Sequence, residues 1–411
     1  MWHNLIMPWN TKSSNQMRIE FIKLVSQPEM SMAEACRLYN ISRKTGYKWL
    51  RRYEKEGDSG LVDQSRRPVN QPTKLSEKVL LRIVSIRVAH KHWGADKIRA
   101  ILKREHFSPL PGRTSIHRVL RQAGLINLRR KRIARLDNLR LVQDGGPDLQ
   151  VNDEWTIDFK GWWRSKDGER KCYPLTIRDA KSRFILGVTL LSDSKEESVR
   201  QAMIKVFERY GLPKSIRSDN GSPFACTQAL LGLSKLSAWW IRLGIEPNRG
   251  RVGCPQDNGA HERMHKDMKS ELQAERADTQ TEMDEWVHEF NTIRPHQALN
   301  GDTPAQHYRK SPRVYTNSLV DYDYGNMPTR KIDKHGDLKW HSMDYFLSEA
   351  LRGERIGLKS IGKGRYEAWF CEHLLGIIDE EAETFTPQLA KGCRQRIIQA
   401  RRKQKAYIKE F

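Results

Sequence analysis

The sequence predicts a multidomain protein: all-α helix-turn-helix units first, then an α/β core with a mixed sheet, then a small C-terminal β-barrel. Three observations carry this. Two stretches before residue 126 repeat a pattern of three short helices, strand-like alternation begins after Asp144-Gly145-Gly146-Pro147, and short β patterns return from about residue 321. A chain of 411 residues with 38% hydrophobic content is long enough for two to four such domains.

The first helical unit reads MRIEFIKLVSQ, SMAEACRLYN and SRKTGYKWLRRYEKEG, with a tight turn at Asn40-Ile41, Ser42 as N-cap and Ile41, Trp49 and Leu50 as apolar anchors. This is a helix-turn-helix pattern, and it puts Arg43, Lys44, Thr45, Tyr47 and Lys48 at the start of a recognition helix that reaches into a major groove. The competing reading is a small bundle with a solvated basic face. In the linker DQSRRPVNQP, Pro68 and Pro72 break any helix, and Arg66 and Arg67 suit a minor groove or mere flexibility. The second unit reads SEKVLLRIVSIRVAHKH, GADKIRAILKREH and GRTSIHRVLRQAGL, with Arg113, Thr114, Ser115, His117 and Arg118 in the equivalent recognition positions. Two such units on an extended linker would track along DNA.

Charge points to the same partner. The net charge is +23, and residues 1–150 carry 30 Lys and Arg against 13 Asp and Glu. Each phosphate contacted by such a cation releases counterions, so a polyanion is favoured. A membrane surface is the weaker rival, because no apolar run approaches the roughly 20 residues that span a bilayer. Six scattered cysteines without a C-x-x-C pair suit a reducing cytoplasm and argue against a cysteine zinc site.

The core alternates. In VNDEWTIDFKGWW, Trp155, Ile157 and Phe159 share one face, and Thr156, Asp158 and Lys160 the other. CYPLTIRDA and RFILGVTLL continue as an antiparallel meander, followed by the helix SKEESVRQAMIKVFERYG, the strand KSIRSDNG, the helix LGLSKLSAWWIRLG and the helix of CPQDNGAHERMHKDMKSEL. RKIDKHGDLKW reads as a hairpin turning at Lys334-His335-Gly336, GRYEAWFCEHLLGIID as another, and a barrel of ~50 residues fits the region. The last 21 residues hold eight Lys and Arg against one Glu and read as a basic amphipathic tail.

Within that core, Asp158 lies on the polar face of its strand, Asp219 ends the next, and Glu262 falls in the first turn of a helix capped by Asp257 or Asn258; they are 61 and 43 residues apart. Carboxylates converging at one sheet edge supply the hard oxygens that magnesium prefers, and a metal pair is the usual solution for in-line attack on a shielded phosphorus. His261-Glu262-Arg263-Met264-His265 also matches the H-E-x-x-H zinc pattern. Magnesium is the better reading. Glu262, His265, Lys266 and Lys269 share a cationic side suited to DNA phosphates, while His261 falls in the apolar stripe as a packed or hydrogen-bonded residue. Asn220 and Asn258 suit either DNA contact and ligand orientation or turns and caps.

WTIDFKG, SDNGSPF, PQDNGAHERMHKDMK and FNTIRPHQAL resemble the integrase core of bacterial insertion-sequence transposases in the DDE and retroviral-integrase superfamily. The likeness extends to MPWN, ISRKTGYKWLRRY, HWGADKIRAIL, RKIDKHGDLKW and YFLSEALRGERIGL, and it starts at Met7. It implies a ribonuclease-H-like α/β core, with the catalytic and metal-binding triad on Asp158, Asp219 and Glu262. It also implies Mg²⁺, with Mn²⁺ substituting, at two ions per active site. The partners implied are double-stranded DNA, as terminal inverted repeats and target, and a homo-oligomer, at least a dimer, with no membrane; the place is the cytoplasm at the nucleoid. The activity implied is end cleavage and strand transfer; the alternative is a DNA-binding regulator with an inactive core. Cys254 departs from the family pattern, and the interval from Asp219 to Glu262 is longer than in some relatives, consistent with an extra helix around Trp239-Trp240. The expected division is 1–60 and 75–127 for the two helix-turn-helix domains, 61–74 and 128–150 for linkers, 151–312 for the core, 321–380 for a small SH3-like β-barrel and 381–411 for the tail.

Overall fold

A computed structural model describes residues 13–64, 75–126, 148–226, 229–250 and 259–388, in two compact units, Met1–Leu75 and Ser76–Phe411. Arg66, Arg67 and Asn258, together with Asp257, Cys254 and the basic tail, lie outside the described residues.

In the first unit, α1 (Ser14–Val25), α2 (Met32–Leu38) and α3 (Arg43–Glu56) form the expected trio. Ser13, Ser31 and Ser42 each accept a first-turn amide that the helix cannot satisfy itself. The turn between α2 and α3 holds Asn40 at φ 51°, and the Ile41 amide donates to the Cys36 carbonyl at 2.9 Å. Phe21, Ile22, Ala35, Cys36, Trp49 and Leu61 close the core. Gly46 permits the close approach of α2 to α3, since a Cβ there would meet Cys36 Sγ at 2.6 Å and Phe21 Cζ at 3.0 Å.

The second unit opens with α4 (Glu77–Ala89), α5 (Ala95–Arg104) and α6 (Arg113–Gln122), packed through Val79, Ile83, Ile86, Ile98, Leu102, Ile116 and Leu120. The sheet follows, with β1 (Glu154–Phe159), β2 (Trp163–Arg164), β3 (Lys171–Asp179), β4 (Ile185–Leu191), α7 (Glu196–Tyr210), β5 (Ser215–Ser218), α8 (Lys235–Arg242) and β6 (Glu246–Arg249). Next come α9 (Gly259–Met268), α10 (Gln280–His288) and the short α11 (Pro304–His307). β1, β3 and β4 make the expected antiparallel meander, while β5 joins β1 in parallel and β6 joins β5 in parallel. β6 escaped the sequence reading because EPNR is polar, carries a proline and is never fully buried. α8 is the extra helix around Trp239-Trp240.

The alternation in β1 sets the layers. Trp155 and Ile157 face α7 and α8 among Val199, Phe207, Ile216 and Trp240. On the other side Ile185, Val188, Met264, Met268, Met283 and Trp286 pack α9 and α10 onto the meander.

The C-terminal strands are β7 (Thr329–Lys331), β8 (Asp337–Trp340), β9 (Met343–Phe346), β10 (Arg355–Gly362), β11 (Arg365–Phe370), β12 (His373–Asp379) and β13 (Thr384–Pro387). They form a five-stranded sheet, β13-β12-β11-β10-β7, and a separate β8-β9 pair, and among the described residues this pairing shows no closed barrel. The second expected hairpin is β11-β12; the first is altered, because β7 pairs with β10 and β8 with β9. An Ile332–Leu338 bridge and a bond from the Asp333 amide to the Asp337 carbonyl at 2.9 Å close its turn, where the Asp333 carboxylate accepts from the His335 and Asp337 amides at 2.8 and 2.9 Å. Ile332, Leu338, Leu351, Ile356 and Phe370 share one core with Ala238 and Ile241 of α8.

Replacing Gly46 by Val overpacks the α2–α3 contact, so thermal melts of the full chain should show the first unit destabilised by about 1–3 kcal/mol; an unchanged melting profile would contradict that contact.

Candidate active site

Parallel pairing brings the two aspartates together. Thr156 stands level with Arg217 across β1 and β5, so two residues further Asp158 comes level with Asp219, the residue after β5. In the turn that follows, Asp219 Oδ1 accepts from the Gly221 amide at 3.2 Å, and Asn220 donates to the Gly250 carbonyl at 3.0 Å. Asn220 thereby ties the turn to the chain beyond β6.

Glu262 is delivered by α9, whose inward stripe is His261, Met264, His265 and Met268. His261, wholly buried, lies 2.8 Å by Nδ1 from Thr156 Oγ1 and 2.6 Å by Nε2 from Thr176 Oγ1. Those contacts pin the helix to β1 and β3, leaving Glu262 exposed at the edge. Burial first, then the charge of Asp219 and, less, that of Glu262 together hold the Asp158 carboxyl up at about 7. Asp219 and Glu262 thus both act on Asp158, while among the described residues the three donors within 4.8 Å of one another are those of Asp158, His261 and His265.

His265 does not sit where the sequence reading put it. Grouped with Lys266 and Lys269 as a DNA-facing residue, it is instead only 9% exposed, its Nε2 lies 2.8 Å from Thr176 Oγ1, and its Nδ1 faces Asp158 Oδ2 at 3.7 Å. The reason is helical geometry: four residues after His261, it falls on the same inward stripe. Lys266 and Lys269 are exposed as expected. Lys160 joins them: its pKa is lowered, first by burial and then by Lys269. Lys160 and Thr176 were missed, although both occupy the Asp158 face by strand alternation.

On α3, Arg43, Lys44, Tyr47 and Lys48 are exposed, while Thr45 turns its hydroxyl to Ser42 Oγ at 2.9 Å. Lys44, Thr45, Tyr47, Lys48 and Arg51 line one shallow groove, Arg51 following Tyr47 by one helical turn. On α6, Arg113, Thr114, His117 and Arg118 are exposed and Ser115 half-buried, with Arg113 Nε 3.3 Å from the Asp96 carboxylate.

Comparison with known proteins adds family information to this geometry. A helix-turn-helix domain model matches residues 17–68 and a homeodomain-like domain model residues 45–120. Integrase core domain models match residues 148–255 and 243–304, and a model for the C-terminal domain of IS481 family transposases matches residues 327–386. The uncharacterized 39.2 kDa protein of insertion element IS476 from Xanthomonas euvesicatoria is 23% identical over 274 residues, covering 65% of this chain and 75% of that one. The uncharacterized 31.7 kDa protein of insertion element IS407 from Burkholderia multivorans is 25% identical over 243 residues, covering 57% and 82%. Among solved structures, the HTLV-2 integrase catalytic core domain in complex with magnesium is 17% identical and covers 39% of this chain and 99% of its own, with a TM-score of 0.32.

The electrostatics make a prediction for the metal-free protein. In the folded chain Asp158 keeps a proton that the unfolded chain loses near the ordinary carboxylate value, so wild type loses stability as pH rises from about 4 to about 7. Asp158→Asn carries no such charge. In EDTA it should therefore unfold at a higher temperature than wild type at pH 7.5, by up to a few kcal/mol, and the advantage should vanish by pH 4; a variant no more stable at pH 7.5 would mean the carboxyl is not strained.

Proposed function

We propose that this chain, which belongs to the insertion-sequence transposases of the DDE and retroviral-integrase superfamily, binds the terminal inverted repeats of its own element and cuts and joins DNA at Asp158, Asp219 and Glu262. The observation that carries this reading is the raised Asp158 carboxyl, held between burial and two further carboxylates. Such a cluster is costly unless it serves a cation.

The donor set fits magnesium. Three carboxylates offer hard oxygens, and a divalent ion would relieve the repulsion that raises Asp158. A pair of such ions would supply activation of the attacking oxygen and stabilisation of the leaving one. The chain's own groups do the rest. Lys160, Lys266 and Lys269 surround the carboxylates with positive charge that holds phosphates of the DNA end, and the backbone turn at Asp219-Asn220-Gly221 fixes one ligand in place. Water attacks the phosphodiester at the element's end, and the freed 3′-hydroxyl attacks target DNA, so no serine or tyrosine nucleophile is required.

Recognition belongs to the exposed starts of α3 and α6, where Arg43, Lys44, Tyr47 and Lys48, and Arg113, Thr114, His117 and Arg118, would meet bases and phosphates. Two ends must be processed together, so the active complex is at least a dimer.

With a labelled repeat end and Mg²⁺, Asp158→Asn and Glu262→Gln should each cut roughly 10³-fold more slowly or worse, as groups that act as a unit do, while end binding persists. A wild type that binds but never cuts would instead mark a DNA-binding regulator. Replacing Arg43 and Lys48 by Ala should weaken end binding and lower the slope of log affinity against log salt by about 2; an unchanged slope would remove α3 from the phosphate contacts.

A further inference from the structure

The hydroxyl of Thr176 settles where the protons of two imidazoles lie. Its one hydrogen goes to the Asp158 carbonyl oxygen, 2.8 Å away, because a carbonyl can only accept. The Nε2 atoms of His261 and His265, at 2.6 and 2.8 Å from the same oxygen, must then both donate into its lone pairs. In neutral His261 this leaves Nδ1 bare, and Thr156 Oγ1 donates to it at 2.8 Å; that oxygen in turn accepts from Arg178 Nε at 3.2 Å. Both His261 nitrogens are engaged and its ring is wholly buried, so it has no lone pair left for a metal. The two-histidine zinc reading of H-E-x-x-H fails on that count.

His265 differs. Its Nε2 proton is fixed by the same hydroxyl, but its Nδ1 lies 3.7 Å from Asp158 Oδ2, too far for a hydrogen bond. A bare nitrogen and a carboxylate oxygen facing each other repel unless a cation lies between them. Donors about 2.1 Å from one ion stand roughly 3.0–3.4 Å apart at octahedral and tetrahedral angles. A closure of a few tenths of an ångström suffices.

We infer that His265 Nδ1 is a nitrogen donor to the cation held by Asp158, and that the site consequently takes manganese in preference to magnesium. The inference rests on the carboxylate reading of this site and deepens it. Magnesium and manganese both suit carboxylate oxygen, but manganese, as a first-row transition ion, tolerates an imidazole nitrogen better than magnesium does. One nitrogen in an otherwise all-oxygen set therefore shifts the preference between these two. Thr176 is the positioning residue, since it holds the imidazole in the tautomer that exposes Nδ1.

The full chain, stripped with EDTA and titrated with Mn²⁺, tests this by pulsed EPR and calorimetry. Wild-type spectra should contain an imidazole nitrogen coupling that changes on ¹⁵N-histidine labelling. His265→Asn should lose it and bind Mn²⁺ about tenfold more weakly or worse, the scale on which even a ligand's outer partners act, with Mg²⁺ affinity within about threefold of wild type. Bound Mn²⁺ without nitrogen coupling in the wild type overturns the proposal, and needs no variant to do so; equal weakening of both metals in His265→Asn also overturns it. Asp158→Asn separates the two layers. If it leaves Mn²⁺ binding unchanged, the carboxylate site itself is wrong, whereas lost binding together with absent wild-type nitrogen coupling condemns the His265 assignment alone.

Discussion

Parallel pairing of β1 with β5 is the constraint from which the site follows. Parallel neighbours send their C-terminal ends to the same edge, whereas an antiparallel pair would send them to opposite edges. With Thr156 level with Arg217, the next polar position of each strand along that face is Asp158 and Asp219. Such a pair needs a long crossover, and the chain spends β3, β4 and α7 on it. The 60 residues between the two aspartates give ample chain for that crossover.

A sheet edge alone gathers two carboxylates; the third needs a helix held in one rotation. Met264 and Met268 press α9 onto the meander but leave its rotation soft, because apolar contacts are not directional. The Thr156–His261–Thr176–His265 chain supplies direction. Each of the four side chains finds a partner in it, His265 through Nε2, so the cost of burying them is largely offset, and the helix has one setting. That setting turns Glu262 outward beside Asp158, with Lys266 and Lys269 one and two turns further.

Much of this was legible in the sequence, for physical reasons that can be named. Period-two alternation in WTIDF separates Asp158 from the core, and Ser42 before a basic helix marks the start of α3. What was not legible depends on contacts distant in the chain. β6 carries no strand signal because its stability comes from lying beside β5, and β8 turned to β9 rather than back to β7. His265 was misplaced because a helical wheel gives angular separation but not which sector faces the sheet; His261 and Thr176, 85 residues apart, decide that.

The same helix also links this sheet edge to the second helix-turn-helix unit. Arg294, in the NTIRPH loop, is almost wholly buried, pairs with Asp267 of α9 at 3.1 Å and with Glu271, and lies 3.8 Å from Glu289. Lys97 of α5 enters that cluster: its pKa is lowered by burial and by Arg294 and partly restored by Asp267, Glu271 and Glu289. His90 Nδ1 lies 3.1 Å from Glu289, and Arg104 donates to the Ile293 and Gly301 carbonyls at 2.9 and 2.6 Å. One buried and one half-buried cation among three carboxylates make a directional joint, because moving Arg294 away leaves buried charge uncompensated. Rotation of α5 against the core would therefore pull on Asp267, one turn and a half beyond Glu262 on α9. The second helix-turn-helix unit and the helix that carries Glu262 are in this way joined through charge rather than through a loop.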